Sequence, residues 1–221
     1  MLESALLKVY ASESLWKIIY DTMQIFGGRS LFTDIPLERM MRDARLNMIG
    51  EGSNEVMRAF IAAVGMRDVG MAIKGAMLTV KEPITHFKKV MQLFGNCIKN
   101  CQLPTIPIHS KELKKERKAY ARALRRFRFS VVYTLIKYRE GVVDKQLELN
   151  RLTEGAMMLY TMAAVLSKMD SEEKLSTKEL QVGKLYCRLA LQKLHENLDS
   201  LKNSDDAFIV EVSDSLTGLS S

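Results

Sequence analysis

QIFGGRSLFTDIPLERMMRDARLNMIGEGSNEVMR (residues 24–58) alternates helix stops with helix starts, and that punctuation decides the fold. Gly27-Gly28 ends a helix, as glycine does just past a helix C-terminus. Residues 29–35 read as a loop. Pro36 fits the first turn of the next helix, 36–48, where a missing N–H costs nothing. Glu38 and Arg42 stand four apart in the favourable acid-first order. Glu51 then sits between Gly50 and Gly52, ahead of the polar run Ser53-Asn54-Glu55 that opens a third helix, about 53–65. A carboxylate flanked by glycines can be aimed at a ligand that the bare backbone lets close. Taken alone, Glu51 also reads as a carboxylate answering the dipole of the following helix.

Outward from this stretch the pattern stays helical. Ala5, Val9, Trp16, Ile19, Met23 and Phe26 recur at helical spacing over 3–26, with Ser12 filling the one gap. Val56, Phe60, Ile61 and Val64 are the expected apolar side of the third helix. Residues 66–102 read as helical with a break near Glu82-Pro83, and QLPTIPIHS (102–110) as a linker. Ser110 is placed to cap the long helix that follows, which carries Tyr120, Leu124, Phe127, Val131 and Leu135 as its core stripe. Beyond a break at Gly141, Leu149, Leu152, Ala156, Leu159, Ala163 and Leu166 form a heptad-like seam. Ser176 and Glu179 make a capping-box pattern, and the last long helix repeats the seam with Cys187, Leu191, Leu194, Leu198 and Leu201. Long amphipathic helices with short connections predict an antiparallel bundle. Residues 203–221, with four acids and no bases, are expected to fray. No segment reads as a strand, so the fold class is all-α.

The bulk numbers narrow the function classes. The chain has 221 residues, is 47% hydrophobic and only 7% aromatic, and contains no run of about 20 uncharged apolar residues that would cross a membrane. Three cysteines argue against a disulfide framework. Cys97 and Cys101 lie four apart, but with only His86, His109 and His195 to join them the expectation is no metal site. The first residues, MLESALLKVYASESLW, have neither a basic start nor the acid-free character of a targeting segment. The net charge of +7 equals that of residues 111–128 alone, which hold nine basic and two acidic side chains. The basicity is therefore local. A solvated helix face and an anionic membrane surface both fit it, and nucleic acid does so poorly, since Tyr120 and Phe127 have core spacing.

Residues 24–58 resemble the C-terminal helical part of the acyl-CoA dehydrogenases, flavoenzymes that oxidise fatty acyl-CoA thioesters. Gln24, Gly27, Gly28, Pro36, Glu38, Arg39, Arg42-Asp43-Ala44-Arg45, Glu51, Gly52 and Ser53 carry the resemblance, with KVYASESLW before them. YREGVVDKQLELNRLTEGAMMLYTMAAVLSKM (138–169) is similar to the extra helical domain of the very-long-chain branch. Ser30 stands at the third glycine position of the turn, and Gly50 where the family has an aromatic ring.

The resemblance implies an organisation. Residues 1–66 correspond to the dehydrogenase C-terminal helical segment, 67–110 to a connector, 111–203 to the extra bundle and 204–221 to a flexible tail. It implies that Glu51 is the base that takes the α-proton and that Gly52 meets the thioester end of the substrate. Ser53, Asn54 and Glu55 fall on a stretch that contacts FAD. Gln24, Gly27 and Gly28 match the segment that reaches the partner subunit's flavin in the family dimer. The expected partners are fatty acyl-CoA, a second copy or a separate chain supplying the N-terminal and β-domains, and an anionic membrane surface through 111–128. The expected location is the matrix side of the inner mitochondrial membrane in a eukaryote, or the cytoplasm in a bacterium. The other implied reading is a non-catalytic dimerisation or membrane-docking module.

Overall fold

The structure, a computed structural model, describes residues 1–81, 102–172 and 175–218, with the side chains of 76–81 outside that description. The described residues form helices and turns and no strand. They divide into two compact units, Met1–Gly65 and Met66–Ser221.

In the first unit α1 (Leu2–Phe26) packs on α2 (Leu37–Ile49), joined through a 3₁₀ turn over Gly27–Leu31. The α1 stripe buries Ala5, Leu6, Val9, Ser12 and Ile19, while Phe26 is half exposed because the helix ends there. Gly27 adopts φ 59°, and its N–H closes on the Gln24 carbonyl. The third helix, α3, runs without interruption from Asn54 to Lys81, so the helix expected over about 53–65 does not end there. Its inward side is also rotated from the expected one. Ile61, Ala62 and Met66 are buried, whereas Val56 and Val64 are exposed. The buried Asn54 sets that rotation, because its hydrogen bonds fix which side of the first turn faces α1. The expected break at Glu82-Pro83, together with Cys97, Cys101 and His86, lies outside the described residues.

The second unit is built on three long helices, α4 (Lys114–Tyr138), α5 (Gln146–Ser171) and α6 (Thr177–Ser200). Lys193 reaches Glu154 at 2.7 Å and the Tyr186 hydroxyl donates to Thr161 at 2.6 Å. Contacts thus climb one helix while descending the other, which makes α5 and α6 antiparallel. Leu149, Leu152, Leu159 and Leu166 of one seam and Cys187, Leu194, Leu198 and Leu201 of the other are buried. Gly155 allows the close approach. A Cβ there would meet Leu194 at 3.0 Å and Phe127 of α4 at 3.1 Å. Burial, with Glu116 adding to it, pushes the Cys187 thiol up to about 11, so it serves as packing rather than as a nucleophile.

Two caps came out differently from each other. Ser176 accepts from the Glu179 N–H while Glu179 returns to the Ser176 N–H, completing the capping box. Ser110 makes no side-chain cap. A carboxylate near the end of α5 instead ties down the segment just before the helix. Asp170 accepts from the N–H groups of His109 and Ser110 at 2.9 and 2.7 Å, and these bonds hold its carboxyl below the ordinary value. Residues 204–221, expected as a flexible tail, carry a helix, α7 (Asp206–Thr217). Asp206 explains its start, since its carboxylate pairs with the half-buried Arg151 of α5.

Candidate functional site

Glu51 occupies the turn between α2 and α3 with φ 57°, a left-handed conformation that a side chain other than glycine, asparagine or aspartate rarely takes. The neighbours explain how the turn is held. The Gly50 N–H closes α2 on the Leu46 carbonyl at 2.8 Å, and a Cβ at Gly50 would stand 3.3 Å from that same oxygen. Gly52 has φ 96°, and a Cβ there would stand 3.1 Å from the Met57 sulfur. The turn is therefore fitted to two glycines with the carboxylate lifted between them. The Glu51 side chain is exposed.

A group that the sequence reading passed over locks this turn from below. Lys8 of α1 donates to the Gly52 carbonyl at 2.7 Å and to Asn54 Oδ1 at 2.8 Å, with the Met48 carbonyl at 3.5 Å. One ammonium thereby ties the end of α2, the turn and the start of α3. Asn54 Nδ2 donates to Ser12 Oγ at 3.0 Å and to Glu13 Oε1 at 3.2 Å, and Arg58 closes the network on Glu13 Oε2 at 2.7 Å. The one gap in the α1 stripe, Ser12, was the available signal. A polar residue at a core position asks for a buried polar partner, and Lys8 lies one turn before it.

The expected site residues fall in two places within this unit. Glu51, Gly52, Ser53, Asn54 and Glu55 gather at the α2–α3 turn. Ser53 caps α3 by accepting from the Val56 N–H at 3.4 Å, and the Glu55 N–H together with the Ser53 hydroxyl keeps the Glu55 carboxyl below its ordinary value. Asn54 differs from its neighbours. It is 2% exposed, and its amide is committed to Lys8, Ser12 and Glu13, so its side chain is part of the scaffold. Gln24, Gly27 and Gly28 lie at the other turn, after α1. All three are exposed, and the space beside Gly27 and Gly28 is open. Ser30 is 3% exposed and donates to the Gly27 carbonyl at 2.7 Å, so its hydroxyl braces the glycine turn.

A family model described as acyl-CoA dehydrogenase, C-terminal domain, matches residues 1–66. A second, described as ACAD9/ACADV, C-terminal domain, matches residues 111–217. The chain belongs to the acyl-CoA dehydrogenase family. It is a C-terminal helical part of the very-long-chain type. The very long-chain specific acyl-CoA dehydrogenase of Mus musculus mitochondria is 31% identical to it over 92% of this chain and 32% of the mouse protein. Cyclohexane-1-carbonyl-CoA dehydrogenase of Geobacter metallireducens is 46% identical over 55 residues, 25% of this chain and 14% of that protein. A crystal structure of an acyl-CoA dehydrogenase complexed with FAD from Bacillus anthracis shares the fold, with a TM-score of 0.69 at 20% identity over 96% of this chain and 35% of that one. The chain thus spans about a third of the length of the curated relatives it matches. Among the described residues no helix is long and apolar enough to cross a membrane, and no group of histidine, cysteine and acidic side chains is arranged to hold a metal ion.

Proposed function

We propose that this chain supplies the C-terminal section of an FAD-dependent long-chain acyl-CoA dehydrogenase, with Glu51 as the base that takes the α-proton of a fatty acyl-CoA. The observation that carries the reading is the Glu51 turn. A carboxylate held in a left-handed backbone between two glycines, with its carbonyl neighbour tied to Lys8, is oriented at a cost in conformational energy. The exposed apolar side chains of the same unit agree with it. Ile18, Ile25, Phe26, Phe32, Leu46 and Ile49 are each half exposed or more, which is too much apolar surface for a unit of this size to leave in water. The rest of the enzyme is what covers it. That cover also dries the turn, where a carboxylate becomes a stronger base.

The residues fit a flavin in part. Open space beside Gly27 and Gly28 lets backbone N–H groups approach a phosphate, and the start of α3 offers the positive end of a helix. The Asn54 side chain does not fit, since its amide is already used inside the fold. When bound, the flavin supplies the acceptor for the hydride that leaves the β-carbon. The chain's own contribution is to hold the thioester end against Gly52 and to keep the Glu51 oxygen beside the α-carbon. There the breaking C–H bond gives its proton to the carboxylate and its electron pair to the new double bond.

The test is reconstitution with chains that supply the N-terminal and β-domains. Flavin absorbance and acyl-CoA-dependent dye reduction are expected together, and neither appearing in any combination overturns the reading. A non-catalytic module docking on anionic membrane is favoured by one observation, the exposed face of Lys114, Lys115, Lys118, Arg122 and Arg128. Co-sedimentation with anionic and neutral vesicles separates the two readings. Equal binding to both vesicle types rejects docking by charge.

A further inference from the structure

The turn that carries Glu51 is held by a side-chain amide whose two ends must face opposite ways. Asn54 is 2% exposed, and its amide lies between an ammonium and a carboxylate of α1. Lys8 Nζ donates to Asn54 Oδ1 at 2.8 Å, and Asn54 Nδ2 donates to Glu13 Oε1 at 3.2 Å. Lys8 can only donate and the Glu13 carboxylate can only accept. Turned over, the amide would set its NH₂ against the ammonium and its carbonyl against the carboxylate. Ser12 does not make that choice. Its hydroxyl stands 3.0 Å from Nδ2 and 3.2 Å from Oδ1, and a hydroxyl accepts from one as readily as it donates to the other. Glu13 is itself fixed by Arg58. The Nε and Nη2 of Arg58 reach its two oxygens at 3.3 and 2.7 Å, a forked pair in which the Arg58 side chain is 13% exposed.

We infer, resting on the reading of Glu51 as the base, that Glu13 braced by Arg58 is a positioning residue for that base and acts through the Asn54 amide. The path is short. Glu13 aims Oδ1 at Lys8, and the ammonium anchored there holds the Gly52 carbonyl at 2.7 Å. In a planar trans peptide the Ser53 N–H points away from the Gly52 carbonyl, so drawing the carbonyl inward fixes the peptide plane that follows the Glu51 turn. With the amide reversed, Lys8 meets a donor where it had an acceptor. Its grip on Gly52 loosens, and the left-handed φ of 57° at Glu51 loses a restraint that offsets its strain. A glutamate serves here because it accepts only. A side chain that both donates and accepts would tolerate Asn54 in either orientation.

Glu13→Gln is the test, since it keeps the size of the side chain and removes its preference for a donor. In the full chain alone, the Asn54 side-chain NH₂ followed by NMR should exchange with solvent about tenfold faster in Glu13→Gln than in the wild type. Arg42→Gln, which breaks the exposed Glu38–Arg42 pair instead, should leave that rate within about twofold. In the enzyme reconstituted with chains that supply the other domains, Glu13→Gln should lower kcat about tenfold with KM nearly unchanged, because a misaimed base slows the step without altering how substrate binds. Adding Glu13→Gln to Lys8→Met should slow the enzyme no further, since both act through one contact. Arg58→Lys keeps the charge but loses the fork, and should shift both readouts in the same direction. All rates are compared where circular dichroism shows wild-type helicity. An unchanged Asn54 exchange rate, an unchanged kcat, or losses that multiply in the double variant each overturn the positioning role and leave Glu51 as the base. A wild-type reconstituted enzyme without turnover overturns the reading of Glu51, and the positioning role with it.

Discussion

The two units solve the same problem differently. Met66–Ser221 closes its long helices on each other, with the seam leucines of α5 and α6 buried and Gly155 letting the backbones approach. Met1–Gly65 leaves large apolar side chains in water and spends its polar interactions on one turn, where Lys8, Ser12, Glu13 and Asn54 converge. The three long helices of the second unit satisfy each other and form a scaffold, although α7 beside them buries no residue. A unit that invests in a strained turn and leaves its greasy side open is built to be completed. This difference is why we propose Glu51, rather than any group of the bundle, as the base. The sharpest test is Glu51→Gln in the reconstituted enzyme. It removes the base and keeps the shape, so turnover should fall about 10²- to 10⁴-fold while flavin absorbance stays. Unchanged turnover would mean that the turn is only a turn.

The scaffold side of the comparison breaks at Leu194. It is 1% exposed and faces Gly155, so Leu194→Ala should cost about 2–5 kcal/mol in urea unfolding. The same truncation at the exposed Leu46 should cost little in the isolated chain and more once the rest of the enzyme covers it. Lys8 tests the turn itself. Lys8→Met keeps the length of the side chain and removes its donors to Gly52 and Asn54, a loss of about 1.5–3 kcal/mol for bonds made by a charged group. The readout that distinguishes positioning from mere stability is kcat, which should fall with Lys8→Met at temperatures where the enzyme remains folded.

The helices and their stops were legible because they depend on local chemistry. Gly27 and the Ser176–Glu179 box each act within a turn of the chain as read, and Pro36 stands one residue ahead of α2, at its N-cap, rather than in its first turn. What was illegible depends on partners far away. The Ser110 hydroxyl reads as a cap but makes no cap bond, and the Ser110 N–H is taken by Asp170, 60 residues on. Asn54 reads as part of a stretch that contacts a cofactor, and nothing local shows that α1 claims its side-chain amide across 42 residues. The tail reads as frayed because its composition is polar and acidic, and one ion pair from Arg151 starts a helix there. Ser176→Ala sharpens the local half of this lesson. It should lower the stability of the second unit by about 1 kcal/mol, with the loss of amide protection confined to the first turn of α6.

The smallest expected effect concerns the start of α7. The Arg151 guanidinium beside Asp206 holds its carboxyl below the usual carboxylate range, with Ser204 and Lys137 adding to it. A carboxyl whose folded pKa is depressed contributes stability above its unfolded value, about 3.9, and loses it as pH falls through the lower folded value. Between pH 7 and pH 5 the helix start should therefore be indifferent to pH. Below about pH 4 hydrogen exchange over 206–217 should accelerate before that over α5 and α6, whose seam is held by buried leucines as well as by the Lys193–Glu154 pair. Asp206→Asn should abolish the difference between the two pH ranges by loosening α7 in both. Were α7 equally protected at pH 3 and pH 7 in the wild-type chain, Arg151 would not be what starts it.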